Sequence, residues 1–295
     1  MNMMNKAKTY FIFHALLFFL LGAGYLQAQQ RYRIAAADIM MLKRQKIGAI
    51  QLAHQLGMDG LELDMGGLGK RLTFDNQLLN DSVRNAFLQQ STALNIEFCA
   101  MSMSGYYAQS FCERDSFIPS IADCIRTMQL LNVKVGFLPL GVQCDLVKRP
   151  DLRDSVIARL KIIGSMASVA GVVIGIETAL DARTEKKLLV DVGDPSIKSY
   201  FNFSNALKNQ RDLIKELKIL GKDQIIQIHC TDDDGVLLKD NPRLNMVAVK
   251  RALDKMGWSG WLVLERSRDA KEPNNVKKNF GSNAEYMKSI FQNIQ

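Results

Sequence analysis

The sequence predicts an α/β chain folded as a (β/α)₈ TIM barrel. Short β-rich apolar runs alternate with amphipathic helical stretches, and the alternation repeats eight times after the N-terminal segment. Eight such units in one 295-residue chain fit a closed parallel barrel, which commonly takes about 250 residues. No Pro/Ser-rich linker or low-complexity tract divides the chain. An open doubly wound sheet is the competing architecture, but it usually needs fewer strands. No Gly-x-Gly-x-x-Gly follows the first strand, as a dinucleotide site would require.

The elements follow in order. Residues 33–38 read as the first strand, and residues 43–56 as a helix stopped by Gly57. Residues 60–65 (GLELDM) form the second strand and 78–94 a helix. Residues 96–103 form the third strand. In the helix over 116–131, Ile121, Ile125, Met128 and Leu131 recur every three or four positions and mark its buried face. Strand four spans 133–140, and the helix over 151–170 ends at Gly171. Strand five is 172–178 (VVIGIET), followed by a short helix over 185–192 and a turn at 193–195. Strand six is 197–203, with a helix over 210–220 that stops at Gly221. Strand seven is 225–230 (IIQIHC), with a helix over 245–256 that stops at Gly257. Strand eight is 261–265 (WLVLE), and a helix over 284–291 closes the chain. The Gly-rich stretch 66–69 follows strand two without entering a helix, so it reads as a flexible loop rather than a phosphate cradle.

The first 28 residues read as a cleaved export signal. Lys6 and Lys8 form a short positive segment, residues 10–21 are apolar except for His14, and Ala28 offers a small residue at the cut. The apolar run is shorter than the ~20 residues a membrane span needs, so an uncleaved anchor is the lesser alternative. The mature domain is then 29–295, periplasmic or secreted. The formal charge of +8 is dispersed, and no basic stripe alternates with aromatics, which argues against nucleic acid as a partner. The oligomeric state is left open, a homo-oligomer included. Of the cysteines, Cys99 and Cys230 lie in strand-like runs and read as buried thiols. Pairing among Cys112, Cys124 and Cys144 is not readable from spacing.

In such barrels the chemistry sits at the C-terminal ends of the strands. Glu177, His229 and Glu265 each follow a mostly apolar run at such an end, so each is expected to project into the barrel mouth. A carboxylate there needs a metal, an arginine or a polar ligand to offset its burial. Two carboxylates and an imidazole suit Mn²⁺, Co²⁺, Zn²⁺ or Mg²⁺. Of Glu62 and Asp64, one is expected to face the mouth and the other the helices. Asp232 reads either as an acceptor behind His229 or as part of a solvated acidic run with Asp233 and Asp234. His54 reads as structural, and Trp258 and Trp261 as packing.

At these residues the chain resembles the sugar phosphate isomerase/epimerase family, the xylose isomerase-like TIM barrels. The segments GMDGLELD, VVIGIET, IIQIHCTD and WSGWLVLER match its strand-two, strand-five, strand-seven and strand-eight patterns in order. The resemblance implies a metal-dependent isomerase or epimerase of a keto sugar, with one divalent cation held by Glu, Asp, His and Glu. It places three of these on Glu177, His229 and Glu265. Where the family reads D-x-G-N in strand six, this chain reads YFNFSN, so the resemblance places Asn202 as the fourth metal ligand, through a neutral amide oxygen that removes one negative charge and should weaken metal binding. The implied mechanism is proton transfer beside a carbonyl through an enediolate, with Glu177 and Glu265 as acid and base. Glu62, Asp232 and Arg266 would contact substrate. Export favours an unphosphorylated sugar. Two other functions are compatible: a lyase or hydratase acting on a 3-keto sugar or inositol derivative, and a non-catalytic sugar-binding barrel.

Overall fold

The structure is a computed structural model that describes residues 30–292. The expected export signal lies outside the described residues. From Tyr32 onward the chain forms one compact unit. Eight parallel strands close into a barrel in sequence order, from β1 (Tyr32–Ala37) round to β8 (Gly260–Leu264), which pairs back onto β1. The others are β2 (Gly60–Asp64), β3 (Glu97–Ser102), β4 (Val135–Pro139), β5 (Val173–Glu177), β6 (Ile197–Asn202) and β7 (Ile225–His229).

Strand residues alternate between two environments. In β1, Ile34 and Ala36 belong to the large apolar layer shared with the helices, while Ala35 faces a small interior cluster with Cys99, Ala100, Val135, Phe137, Tyr200 and Val263. The interior is therefore filled, as barrel cores are. Trp258 is buried and donates its indole N–H to Ile225 O, and the Arg33 guanidinium lies 4.0 Å from the Trp261 ring. Both tryptophans thus pack where the sequence suggests.

The helices begin and end on residues with a local reason to do so. The helix α1 (Asp38–Met41) follows β1 directly, and α2 (Gly48–Gln55) carries His54, whose Nδ1 lies 3.0 Å from Leu94 O. Asn80 caps α3 (Asp81–Leu94), and Asn95 ends it in the left-handed region. In α4 (Phe117–Leu131) the face of Ile121, Ile125, Met128 and Leu131 is buried, as its spacing predicts. The helix α5 (Arg153–Ala170) ends at Gly171 with φ 68°. Asp181 caps α6 (Ala182–Val192), so this helix starts three residues before its expected position.

Two further departures bear on the site. A short helix, α7 (Phe203–Lys208), begins where strand six was expected to continue, and it precedes α8 (Leu213–Leu220). After α9 (Met246–Met256), the last helix, α10 (Val276–Phe291), starts at 276 rather than 284. Its first turns bury amides as well as apolar groups: Asn279 accepts from Asp269 N, and Asn283 bonds Leu238 N and Ser267 O. An apolar periodicity does not register such a face. The stretch 66–69 is also pinned rather than free. Gly66 N–H donates to Asp64, a Cβ at Gly66 would meet Asp75 O at 2.3 Å, and Leu68 is buried.

Cys112 and Cys144 form a disulfide, with Cα atoms 5.7 Å apart, between the loops that follow β3 and β4. Cys99, Cys124 and Cys230 are free and buried. Closing a loop with a 32-residue separation should contribute about 3–4 kcal/mol by restricting the unfolded chain. Replacing both Cys112 and Cys144 by Ser should lower the urea-unfolding free energy by that amount. Peptide mapping should show the Cys112–Cys144 link, with the other three thiols alkylated only after unfolding. Recovery of a different pair would contradict the loop geometry.

Candidate active site

The strand ends converge on a buried polar cluster. Glu62 on β2, Glu177 on β5, Asn202 on β6 and His229 on β7 are all buried, and Glu265, just past β8, joins them. His229 is the centre. Its Nε2 lies 3.3 Å from Glu62 Oε1, and its Nδ1 lies 3.4 Å from Glu177 Oε2 and 3.9 Å from Glu265 Oε2. Both ring nitrogens face glutamate side chains, an arrangement that favours the protonated ring. Burial alone would favour the neutral ring, but the Glu62 charge, the Glu177 hydrogen bond and the Glu265 charge hold the His229 pKa well above its ordinary value.

Asn202 ties the two catalytic candidates together. Its Nδ2 donates to Glu177 Oε2 at 2.9 Å and to Glu265 Oε2 at 3.3 Å, while its Oδ1 accepts from Ser204 N–H at the start of α7. The surroundings push the two carboxyls apart. Burial raises both, yet the hydrogen bond and charge of His229, with the Asn202 amide, bring Glu177 below the usual carboxylate value. Burial dominates at Glu265; His229 opposes it, and the neighbouring Glu177 charge adds to it, leaving that group raised.

The sequence reading missed several groups that complete the cluster. Tyr107, on the single turn Ser104–Tyr107 after β3, donates to Glu177 Oε1 at 3.3 Å. Tyr200 donates to Glu62 Oε2 at 2.5 Å and accepts from Gln227 Nε2 at 2.9 Å. Burial, reinforced by neighbouring carboxylates, raises both tyrosines well above their ordinary values, so they act as hydrogen donors. Tyr200 and Gln227 stand two residues before Asn202 and His229, and the two-residue period of a strand could have found them.

The other expected contact residues fall in different places. Glu62 is inside the cluster, whereas Asp64 pairs with Arg44 at 2.8 Å and accepts from Gly66 N–H. The Asp232 carboxylate is engaged by Asn241 and, at both oxygens, by Arg243, whereas the His229 ring nitrogens face Glu62, Glu177 and Glu265. Arg266 sits half-exposed at the rim, 4.0 Å from Glu265 and 3.8 Å from Asp233. Two clefts of about 430 and 350 Å³ open onto the mouth, and both are lined by Tyr107, Glu265 and Arg266. The first reaches Glu177 and Asn202, and the second reaches Glu62 and His229. Volumes of this order suit a small-molecule ligand.

Glu177, His229 and Glu265 converge as the resemblance implies, but Asn202 presents amide hydrogens, not oxygen, to the two glutamates. Among the described residues no group of three or more His, Cys, Asp or Glu side chains is disposed to hold a metal ion. As folded, the cluster does not fit a divalent cation.

A family model described as xylose isomerase-like TIM barrel matches residues 50–290. No curated protein matches. Among solved structures, the chain is similar to 3-keto-D-glucoside 4-epimerase from E. coli, with a TM-score of 0.70 and 12% identity over 88% of this chain and 99% of that one. It is similar to the IOLI protein with a binding zinc atom, with a TM-score of 0.69 and 14% identity over 88% and 98%. It is also similar to a sugar phosphate isomerase/epimerase from Parabacteroides distasonis, with a TM-score of 0.66 and 12% identity over 89% and 95%. At these identities the likeness speaks to fold.

The cluster predicts a coupling that stability measurements can read. Tyr200→Phe removes the donor to a buried carboxylate and should cost about 1–3 kcal/mol. Adding Glu62→Gln should recover part of that loss in a double-mutant cycle of urea unfolding. Strict additivity would show that the two side chains do not interact.

Proposed function

This chain belongs to the xylose isomerase-like TIM barrel family, and on that premise we propose that it moves a proton beside the carbonyl of an unphosphorylated keto sugar, as an isomerase or epimerase. The observation that carries the reading is the pair of carboxyls, Glu177 and Glu265, bridged by one amide at the edge of a shared cleft. Both accept from the same nitrogen and both line that cleft, so a ligand bound there would meet both.

The roles follow from the surroundings. Glu177 is ionised and is the base. It takes the proton from the carbon next to the carbonyl, and the C–H electron pair moves to the carbonyl oxygen to give an enediolate. Glu265, which holds its proton more firmly, is the acid and returns a proton to carbon. Tyr107 and His229 fix the Glu177 carboxylate without taking part in bond making. Arg266, at the rim of both clefts, orients substrate oxygens and offsets the developing negative charge. The resemblance implies metal assistance, but the Asn202 amide argues against a cation in this cluster, so no step is routed through one. The leader-like first 28 residues and the Cys112–Cys144 disulfide both support an exported enzyme, since such bonds persist in oxidising compartments.

Incubation in D₂O with a panel of keto sugars and keto glycosides tests the proposal. The expected result is deuterium at the carbon beside the carbonyl, with exchange about 10²–10⁴-fold slower in Glu177→Gln and in Glu265→Gln. Circular dichroism should show both variants folded. If both variants kept full exchange, the assignment of the two carboxyls would be wrong. An unsaturated product would instead identify a lyase or hydratase. Sugar binding without exchange would identify a binding protein.

A further inference from the structure

Asn202 ends β6 and caps α7, and this double duty fixes which way its amide faces. Oδ1 lies 2.9 Å from Ser204 N. A backbone N–H only donates, so the side-chain atom that meets it must be the oxygen, and a flipped amide would set donor against donor. Nδ2 therefore points away from the helix, at Glu177 Oε2 and Glu265 Oε2. The nitrogen thus faces the same two oxygens that His229 Nδ1 faces at 3.4 and 3.9 Å, on the side from which a fourth ligand of a shared cation would have to come.

We propose that this barrel mouth has replaced a divalent cation with the Asn202 amide, so that the site takes no divalent cation and Asn202→Asp alone opens it to one. The amide supplies two polarised hydrogens where a metal would supply charge, and it links the same two carboxylates. It cannot turn to offer oxygen without losing the cap. It also adds no negative charge to attract a cation. An aspartate at 202 would keep one oxygen on Ser204 N–H and place the other where Nδ2 now stands. Three carboxylates and an imidazole would then face one point, a donor set suited to Mn²⁺, Co²⁺ or Zn²⁺. Without metal those like charges would repel, so the variant's stability should depend on metal. The inference concerns the same cluster as the proposed reaction but does not depend on that reaction.

The wild-type protein, Asn202→Asp, and Asn202→Asp combined with His229→Ala would each be equilibrated with Mn²⁺, Co²⁺ or Zn²⁺. Unbound metal is removed by gel filtration, bound metal is measured by elemental analysis, and thermal midpoints are recorded with and without metal. The expected result is no bound cation in the wild type, one per chain in Asn202→Asp, and loss of that cation in the double variant. Only Asn202→Asp should gain thermal stability from metal. One cation per wild-type chain, lost in Glu177→Gln or Glu265→Gln, would overturn the proposal. A folded Asn202→Asp that binds none would overturn it equally, because the amide's direction would then not be what decides. Should that variant fail to fold, the wild-type measurement decides alone. None of these readings uses activity, so an error in the assigned reaction would leave them unchanged.

Discussion

Three glutamates buried around one histidine set the terms for the rest of this molecule. A carboxylate removed from water needs hydrogen donors, and a buried acceptor left without one costs about 1–3 kcal/mol or more. Glu62, Glu177 and Glu265 meet that need through His229, Asn202, Tyr107 and Tyr200. Each donor must itself be held. Gln227 donates to the Tyr200 oxygen, which leaves the phenol hydrogen for Glu62. Phe137 packs against both His229 and Tyr200, with ring centroids 4.7 Å away from each. Tyr107 depends on the turn after β3, and the loop beyond that turn is tied by Cys112 to the loop after β4.

The barrel makes this concentration of charge possible by dividing its interior into layers. Towards the N-terminal ends of the strands, Ala35 and Val135 fill the interior with apolar atoms. Above the cluster, the clefts open towards solvent. The glutamates and the histidine thus sit between an apolar floor and a wet mouth, where hydrogen bonds to charge are stronger than in water. Similar carboxyls acquire different protonation preferences there because their neighbours differ. Glu177 has His229 and two further donors, whereas Glu265 has the longer contacts and a negative neighbour. Unequal surroundings are what allow one carboxyl to act as base while the other acts as acid.

Much of this was legible in the sequence, and the gaps have physical causes. Alternating apolar runs and Gly stops were enough for the barrel, because strand and helix burial both follow apolar periodicity. The face of α4 is an example. The early start of α10 was missed because Asn279 and Asn283 are buried through hydrogen bonds rather than apolar contact. The short helix α7 was missed because Phe203 continues the apolar character of β6. At the site, residues at strand ends could be picked out individually, since a carboxylate after an apolar run is conspicuous. Tyr200 and Gln227 were not, because each is an unremarkable strand residue until its alternation with Asn202 or His229 is considered. Asp232 was adjacent in sequence to the His229 strand, yet Arg243, from a distant loop, decides where its carboxylate goes.

Asn202 shows a local rule governing a distant consequence. Asn and Asp are both favoured N-caps, because either offers an oxygen to the first N–H groups of a helix. From the standpoint of α7 the two are nearly interchangeable. They differ in what remains after the cap is made: aspartate has a second oxygen and a charge, while asparagine has two hydrogens. Since Ser204 N–H claims the oxygen, the remainder necessarily faces Glu177 and Glu265. In strand six the sequence shows only a missing acid. The capping bond turns that absence into a positively polarised group of fixed direction, placed between two carboxylates. The chemistry of the mouth is therefore set by a hydrogen bond whose immediate role is to start a six-residue helix.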